Sequence, residues 1–174
     1  DQPAHDASAQ QSLFGPGGLV ERRVAFLTDY QDATLAARFR TLVEEVHARE
    51  QAIGSAGAPL TTIVAQQFSR LLAIKDEYEV ARLYSDPAFI EKLKASFEGE
   101  WKLHIHLAPP MFSKKDAHGH LIKKKYGPWV FSAMHVLAKF KFLRGTALDV
   151  FGKTEERRTE RALIGEYEAL VREL

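Results

Sequence analysis

A chain of 174 residues, 45% hydrophobic and 27% charged, has the composition of a globular domain long enough to bury a core without disulfides or metal. Its lack of cysteine excludes disulfides, iron-sulfur clusters and thiolate zinc sites within these residues, leaving His, Asp and Glu as the strong metal ligands. Lys and Arg number 24 against 23 Asp and Glu, so no net charge drives the chain toward polyanions, and no apolar run approaches the roughly 20 residues of a membrane-spanning helix.

The opening DQPAHDASAQQSLFGPGG has no initiator Met and no basic-then-apolar leader pattern. Its polar, Gly/Pro-rich character predicts a flexible linker over residues 1–18, at the start of a piece cut from a longer polypeptide. From Leu19 to about Glu50, apolar residues including Val20, Leu27, Phe39, Leu42 and Val46 recur mostly at three- and four-residue spacing. That spacing predicts one long amphipathic helix, closed by the loop GSAGAP from Gly54 to Pro59. A second helix is expected from near Thr61 to near Tyr84, on the apolar side of Val64, Phe68, Leu71, Tyr78 and Ala81.

Ser85-Asp86-Pro87 then places a capping carboxylate before a proline at the first helical position, where its missing N–H costs nothing. Phe89, Ile90, Leu93 and Phe97 supply the expected buried face, and Gly99 the stop. In WKLHIHLAPP, Trp101, Leu103, Ile105 and Leu107 alternate with Lys102, His104 and His106. Period two means a half-buried strand with the histidines on its polar side, and Leu121 to Tyr126 can return as its partner. Pro128 opens a fourth helix, carried by Val130, Phe131, Met134, Leu137 and Ala138, with Gly145 as its stop. A fifth follows Thr154, with a stripe of Leu163, Ile164, Tyr167, Leu170, Val171 and Leu174. The expected class is mainly α (α+β), about five helices with one short antiparallel β ribbon, and residues 19–174 form a single mostly helical domain.

Two constellations carry chemistry on paper. His104 and His106 project from one strand face, and a hairpin could bring His118 and His120 near them as metal ligands for a hydrolase or deaminase. No carboxylate accompanies the first pair, and an alternating strand must put something polar outside, so a solvated strand face is the preferred reading and no metal site is assigned. The second is basic: Lys114, Lys115, Lys123, Lys124 and Lys125, with His104, His106 and Trp129 nearby, could attract phosphates or an acidic protein surface. Lysines are also ordinary on exposed ribbons, where they discourage edge pairing. The carboxylates of KDEYEVAR, Lys75 to Arg82, point in different directions on one helix and pair more naturally with Lys75 and Arg82 than with a substrate. EERRTER, Glu155 to Arg161, is a charged helix face with local ion pairs. No G-x-S-x-G elbow is present, and GPGG lacks the surroundings of a phosphate loop.

Four strings, IKDEYEVARLYSDPAF, FEGEWKLHIHLAPP, YGPWVF and LRGTALDVFGKTEERRTERALIGEYEAL, resemble the C-terminal region of the large single-chain indolepyruvate ferredoxin oxidoreductase family. The resemblance implies a cytoplasmic parent enzyme that oxidatively decarboxylates 2-oxo acids, using thiamine diphosphate with Mg²⁺, iron-sulfur clusters, coenzyme A and ferredoxin. None of those catalytic motifs falls in these residues, so no catalytic or cofactor-binding residue is carried over and this piece alone is not expected to be an enzyme. The expectation is a non-catalytic C-terminal domain packed against the rest of its polypeptide or across a homodimer. The alternative is a module for coenzyme A or acidic ferredoxin on the Lys114–Lys125 ribbon. Nucleic acid is disfavoured by the near-zero net charge, and no membrane partner is expected.

Overall fold

The computed structural model describes residues 13–55, 57–99, 103–107, 122 and 124–174. Among them run seven α-helices and one antiparallel ribbon: α1 (Leu19–Tyr30), α2 (Ala33–Ala52), α3 (Pro59–Leu72), α4 (Glu77–Tyr84), α5 (Pro87–Ser96), β1 (Ile105–Leu107), β2 (Lys124–Tyr126), α6 (Trp129–Ala138) and α7 (Glu155–Glu173). A 3-10 segment, Lys139–Leu143, continues α6. The mainly helical character and the ribbon match the sequence expectation; the count of about five helices does not.

Two aspartates account for the difference. Asp32 is extended and its carboxylate accepts from the Leu35 N–H at 2.9 Å, ending the first predicted helix and starting α2. Asp76 does the same for the second, accepting from the Glu79 N–H at 2.9 Å and separating α3 from α4. A straight helix from Leu19 to Glu50 would be roughly 48 Å long and could not bury its own stripe. Broken at Asp32, α2 packs against α1 instead.

The described residues gather into two compact units, one from the N-terminal part to Ile74 together with Gly152–Leu174, the other Lys75–Phe151. In the first, α1, α2, α3 and α7 enclose Leu27, Phe39, Leu42, Val64, Phe68, Ile164 and Val171. The Phe39 and Phe68 rings stack at 6.2 Å and Phe68 meets Tyr167 at 5.8 Å, a column joining three helices. Arg38 clasps Glu168 of α7 through two bonds of 2.7 and 2.8 Å. The expected linker lies outside the described residues as far as residue 12; Leu13 and Phe14 pack against this core.

Helix α3 starts after Ala58, whose side chain cannot cap. Glu50, near the end of α2 and almost fully buried, takes over that role: it accepts from the N–H groups of Leu60 and Thr61 at 2.8 Å each and from the Thr61 hydroxyl at 2.6 Å. Burial alone would raise its pKa, but these bonds and one from Ser55 outweigh burial and hold the carboxyl below its ordinary range.

In the second unit, α4 packs on α6 around Ala81, Ile105, Val130 and Met134. Asp86 caps α5 as expected, accepting from the Ala88 N–H at 2.8 Å, with Pro87 at the first position. The predicted buried face of α5 is only partly covered: Phe89, Ile90 and Leu93 are half-buried and Phe97 is exposed. The ribbon pairs Ile105 with Tyr126, His106 with Lys125 and Leu107 with Lys124. Its alternation holds, with Ile105 buried between the exposed His104 and His106.

Candidate functional site

The most concentrated polar chemistry lies within the second unit, at the start of α4. Asp76, already capping that helix, receives Arg144 in a bidentate pair, Nε to Oδ2 at 2.5 Å and Nη2 to Oδ1 at 2.9 Å. Both side chains are about nine-tenths buried. The Arg144 guanidinium lies 5.6 Å from the Tyr78 ring centroid, and the Tyr78 hydroxyl bonds to Asp149. Asp149 in turn accepts from the Gly145 N–H at 2.8 Å and the Phe151 N–H at 3.2 Å. Burial first, then the negative charges of Asp149 and Asp76, push the Tyr78 hydroxyl above its ordinary pKa, so it stays protonated and donating. Each group satisfies another, which makes this a fastening of the RGTALDVF segment onto α4 rather than a reactive centre.

Beside that fastening opens a groove of about 480 Å³. Val80 and Ala81 of α4, Leu107 and Tyr126 of the ribbon, Trp129, Ala133, Met134 and Leu137 of α6, and Phe151 make its walls, with Lys75, Asp76 and Glu77 at the polar end. Trp129 meets Tyr126 edge-on at 6.0 Å and is 64% exposed. The volume lies in the range of ligand and peptide clefts, roughly 300–1,000 Å³.

The apolar surface does not stop at the groove. Trp129, Ala133, Val136 and Phe140, spaced four, three and four apart, are all exposed, so α6 presents a second apolar stripe about a third of a turn from the one it buries. Phe142, Leu148 and Val150 add exposed apolar area in the same unit. Residues Val130, Phe131, Met134, Leu137 and Ala138 mark only the inner face of this helix. The signal for the other was present in WVFSAMHVLA, where only Ser132 and His135 are polar; a helix apolar all round is one that is covered on all sides.

The predicted site residues divide by place. Lys124 and Lys125 are exposed on β2, leading into the groove residue Tyr126, and His106 faces Lys125 across the ribbon. Lys114, Lys115, Lys123, His118 and His120 lie outside the described residues. Among the described residues no group of three or more His, Asp or Glu could hold a metal ion. Of the KDEYEVAR carboxylates, Glu79 pairs with Arg82 at 2.8 Å as expected, whereas the partner of Asp76 lies 68 positions away and was invisible to local spacing. Arg157 and Glu160 form the local pair expected in EERRTER, at 2.7 Å.

A family profile described as "Family of unknown function (DUF6537)" matches residues 17–174. No curated protein and no solved structure matches the chain.

Proposed function

We propose, for a chain that belongs to the DUF6537 family of unknown function, that it is a non-catalytic packing domain of a thiamine diphosphate-dependent 2-oxoacid ferredoxin oxidoreductase. It joins the rest of the same polypeptide, or a second subunit, and the parent carries the iron-sulfur and coenzyme A chemistry in a cytoplasmic setting. Support for the parent is the four-string resemblance; support for the packing role is the bare outer stripe of α6, since a two-sided apolar helix in water forfeits burial that a partner would supply. No helix among the described residues is long and apolar enough to cross a membrane. The test compares the complete parent with the 174-residue chain by amide hydrogen exchange and assays the parent with these residues deleted. Protection of residues 129–150 in the parent beyond that in the isolated chain, with lost 2-oxoacid oxidation on deletion, is the expected result. Equal exchange together with full activity after deletion would remove the reading.

A second reading uses the ribbon as a dock for coenzyme A or ferredoxin and is favoured by Lys124 and Lys125 being exposed beside His106. Changing Lys123, Lys124 and Lys125 to Glu should raise the parent's KM for one of these two substrates, more at low salt than at high. Unchanged constants for both would dismiss it.

A further inference from the structure

We infer that the groove of the second unit and the outer stripe of α6 together receive an amphipathic helix whose apolar face is flanked by acidic residues. The inference rests on the packing role proposed above and names the chemistry of the segment that packs. Three observations select this occupant.

The first is length. From Trp129 to Phe140 the stripe spans twelve residues of α6 and its continuation, roughly 16 Å over eleven steps of helical rise. Groove and stripe share Trp129 and Ala133, so the apolar surface is continuous and extends past the groove's walls along three turns. A small molecule filling the groove would leave Val136 and Phe140 bare; a helix laid along α6 would cover them with side chains at i, i+3, i+4 and i+7.

The second is charge. Over Lys75–Phe151 the sequence holds thirteen Lys and Arg against nine Asp and Glu, an excess of four, although the whole chain is nearly neutral. Lys124 and Lys125 precede the groove residue Tyr126, Lys75 lines the groove itself, and Lys139 follows α6; all four are exposed. Of the two carboxylates at the groove, Asp76 and Glu77, the first is paired with Arg144. A second copy of the same face would bring lysines against lysines, at a cost, whereas glutamates and aspartates beside an apolar seam would meet them favourably.

The third is shape. Basic residues beside exposed aromatics also suit an anionic lipid surface, but lipid binding uses projecting side chains. Here a concave cleft of about 480 Å³ sits beside the ridge, and a cleft is matched by side chains that project from a partner.

The experiment uses the 174-residue chain carrying Trp101→Phe, so that Trp129 is the sole tryptophan. The probes are two synthetic amphipathic helical peptides with one identical Leu/Phe stripe, one flanked by Glu and the other by Lys, and phosphatidylcholine vesicles containing phosphatidylserine. The Glu-flanked peptide should shift Trp129 emission to the blue and bind at least about tenfold tighter than its Lys-flanked twin at low salt, the gap closing as salt rises. Val136→Asp should weaken that binding about tenfold with an unchanged unfolding midpoint. Equal affinity of the two peptides, no binding of either, or binding to vesicles without binding to the Glu-flanked peptide overturns the inference. Equal affinity with α6 still protected in the parent would leave the packing role standing, while equal exchange together with full activity after deletion would remove the packing role whatever the peptides do.

Discussion

Replacing Arg144 by Met removes one partner from a buried ion pair and leaves the other in place. In the native chain Asp76 receives two guanidinium bonds, at 2.5 and 2.9 Å, and a third from the Glu79 N–H. With its side chain only 9% exposed, Asp76 gains little water in exchange, and breaking such a pair from one side costs about 3–5 kcal/mol. The double variant Asp76→Ser, Arg144→Met removes the stranded charge and keeps a side chain able to cap α4, so its cost should fall to about 1–2 kcal/mol. Trp129 belongs to the unit Lys75–Phe151, so its emission during urea unfolding, read in a Trp101→Phe background, follows the perturbed unit. With a urea slope of about 2 kcal/mol per molar, the single variant should lower the midpoint by roughly 2 M. A single variant within about 1 kcal/mol of the native chain, or a double variant as unstable as the single one, would refute the reasoning.

Three further outcomes follow from the first unit. The pKa of Glu50 is lowered in the folded state, so its contribution is present above the ordinary glutamate value of about 4.3 and is lost as pH falls through the folded value. Glu50→Gln should therefore cost about 1–3 kcal/mol at neutral pH, and its deficit should shrink in acid; helical circular dichroism across an acid titration measures both, and a deficit independent of pH would count against the carboxylate. Asp32→Ala should cost about 1 kcal/mol and Asp32→Ser only a few tenths, read from thermal unfolding; equal costs would mean that the cap is not what stabilises the start of α2. Phe68→Ala, which empties the middle of the Phe39–Phe68–Tyr167 column, should cost about 3–5 kcal/mol in urea, and a loss below 2 would mean that the column collapses to fill the space.

Part of the candidate site was legible before the structure. Strict alternation around His104 and His106 predicted a strand with an exposed histidine face, because side-chain direction along a strand depends only on parity. The lysines of β2 were marked as a basic edge by their clustering in the sequence, not by alternation. Neither the groove nor the outer stripe of α6 could be read that way. Periodicity identifies an apolar face, but when a helix has two, only the neighbours it meets decide which is buried: α4 covers Val130 and Met134, and Val136 is left bare. The same limit applies to α7, where the predicted stripe buries Ile164 and Val171 but leaves Leu163, Leu170 and Leu174 exposed.

Local chemistry in the sequence determined the helical class, the ribbon, and the capping of α5 by Asp86 and of α7 by Thr154, because each depends on residues within a turn or two of one another. Asp32 and Asp76 break the long helices by equally local caps, but tertiary structure decided which face each new helix buries, since the buried residues of α2 and α4 do not continue the stripes of α1 and α3. It also decided that Glu50 caps a helix it does not belong to and that Asp76 binds Arg144 rather than a neighbour in KDEYEVAR. An ion pair between residues 68 positions apart has no period to betray it; it exists because folding takes both groups out of water, where each then needs the other.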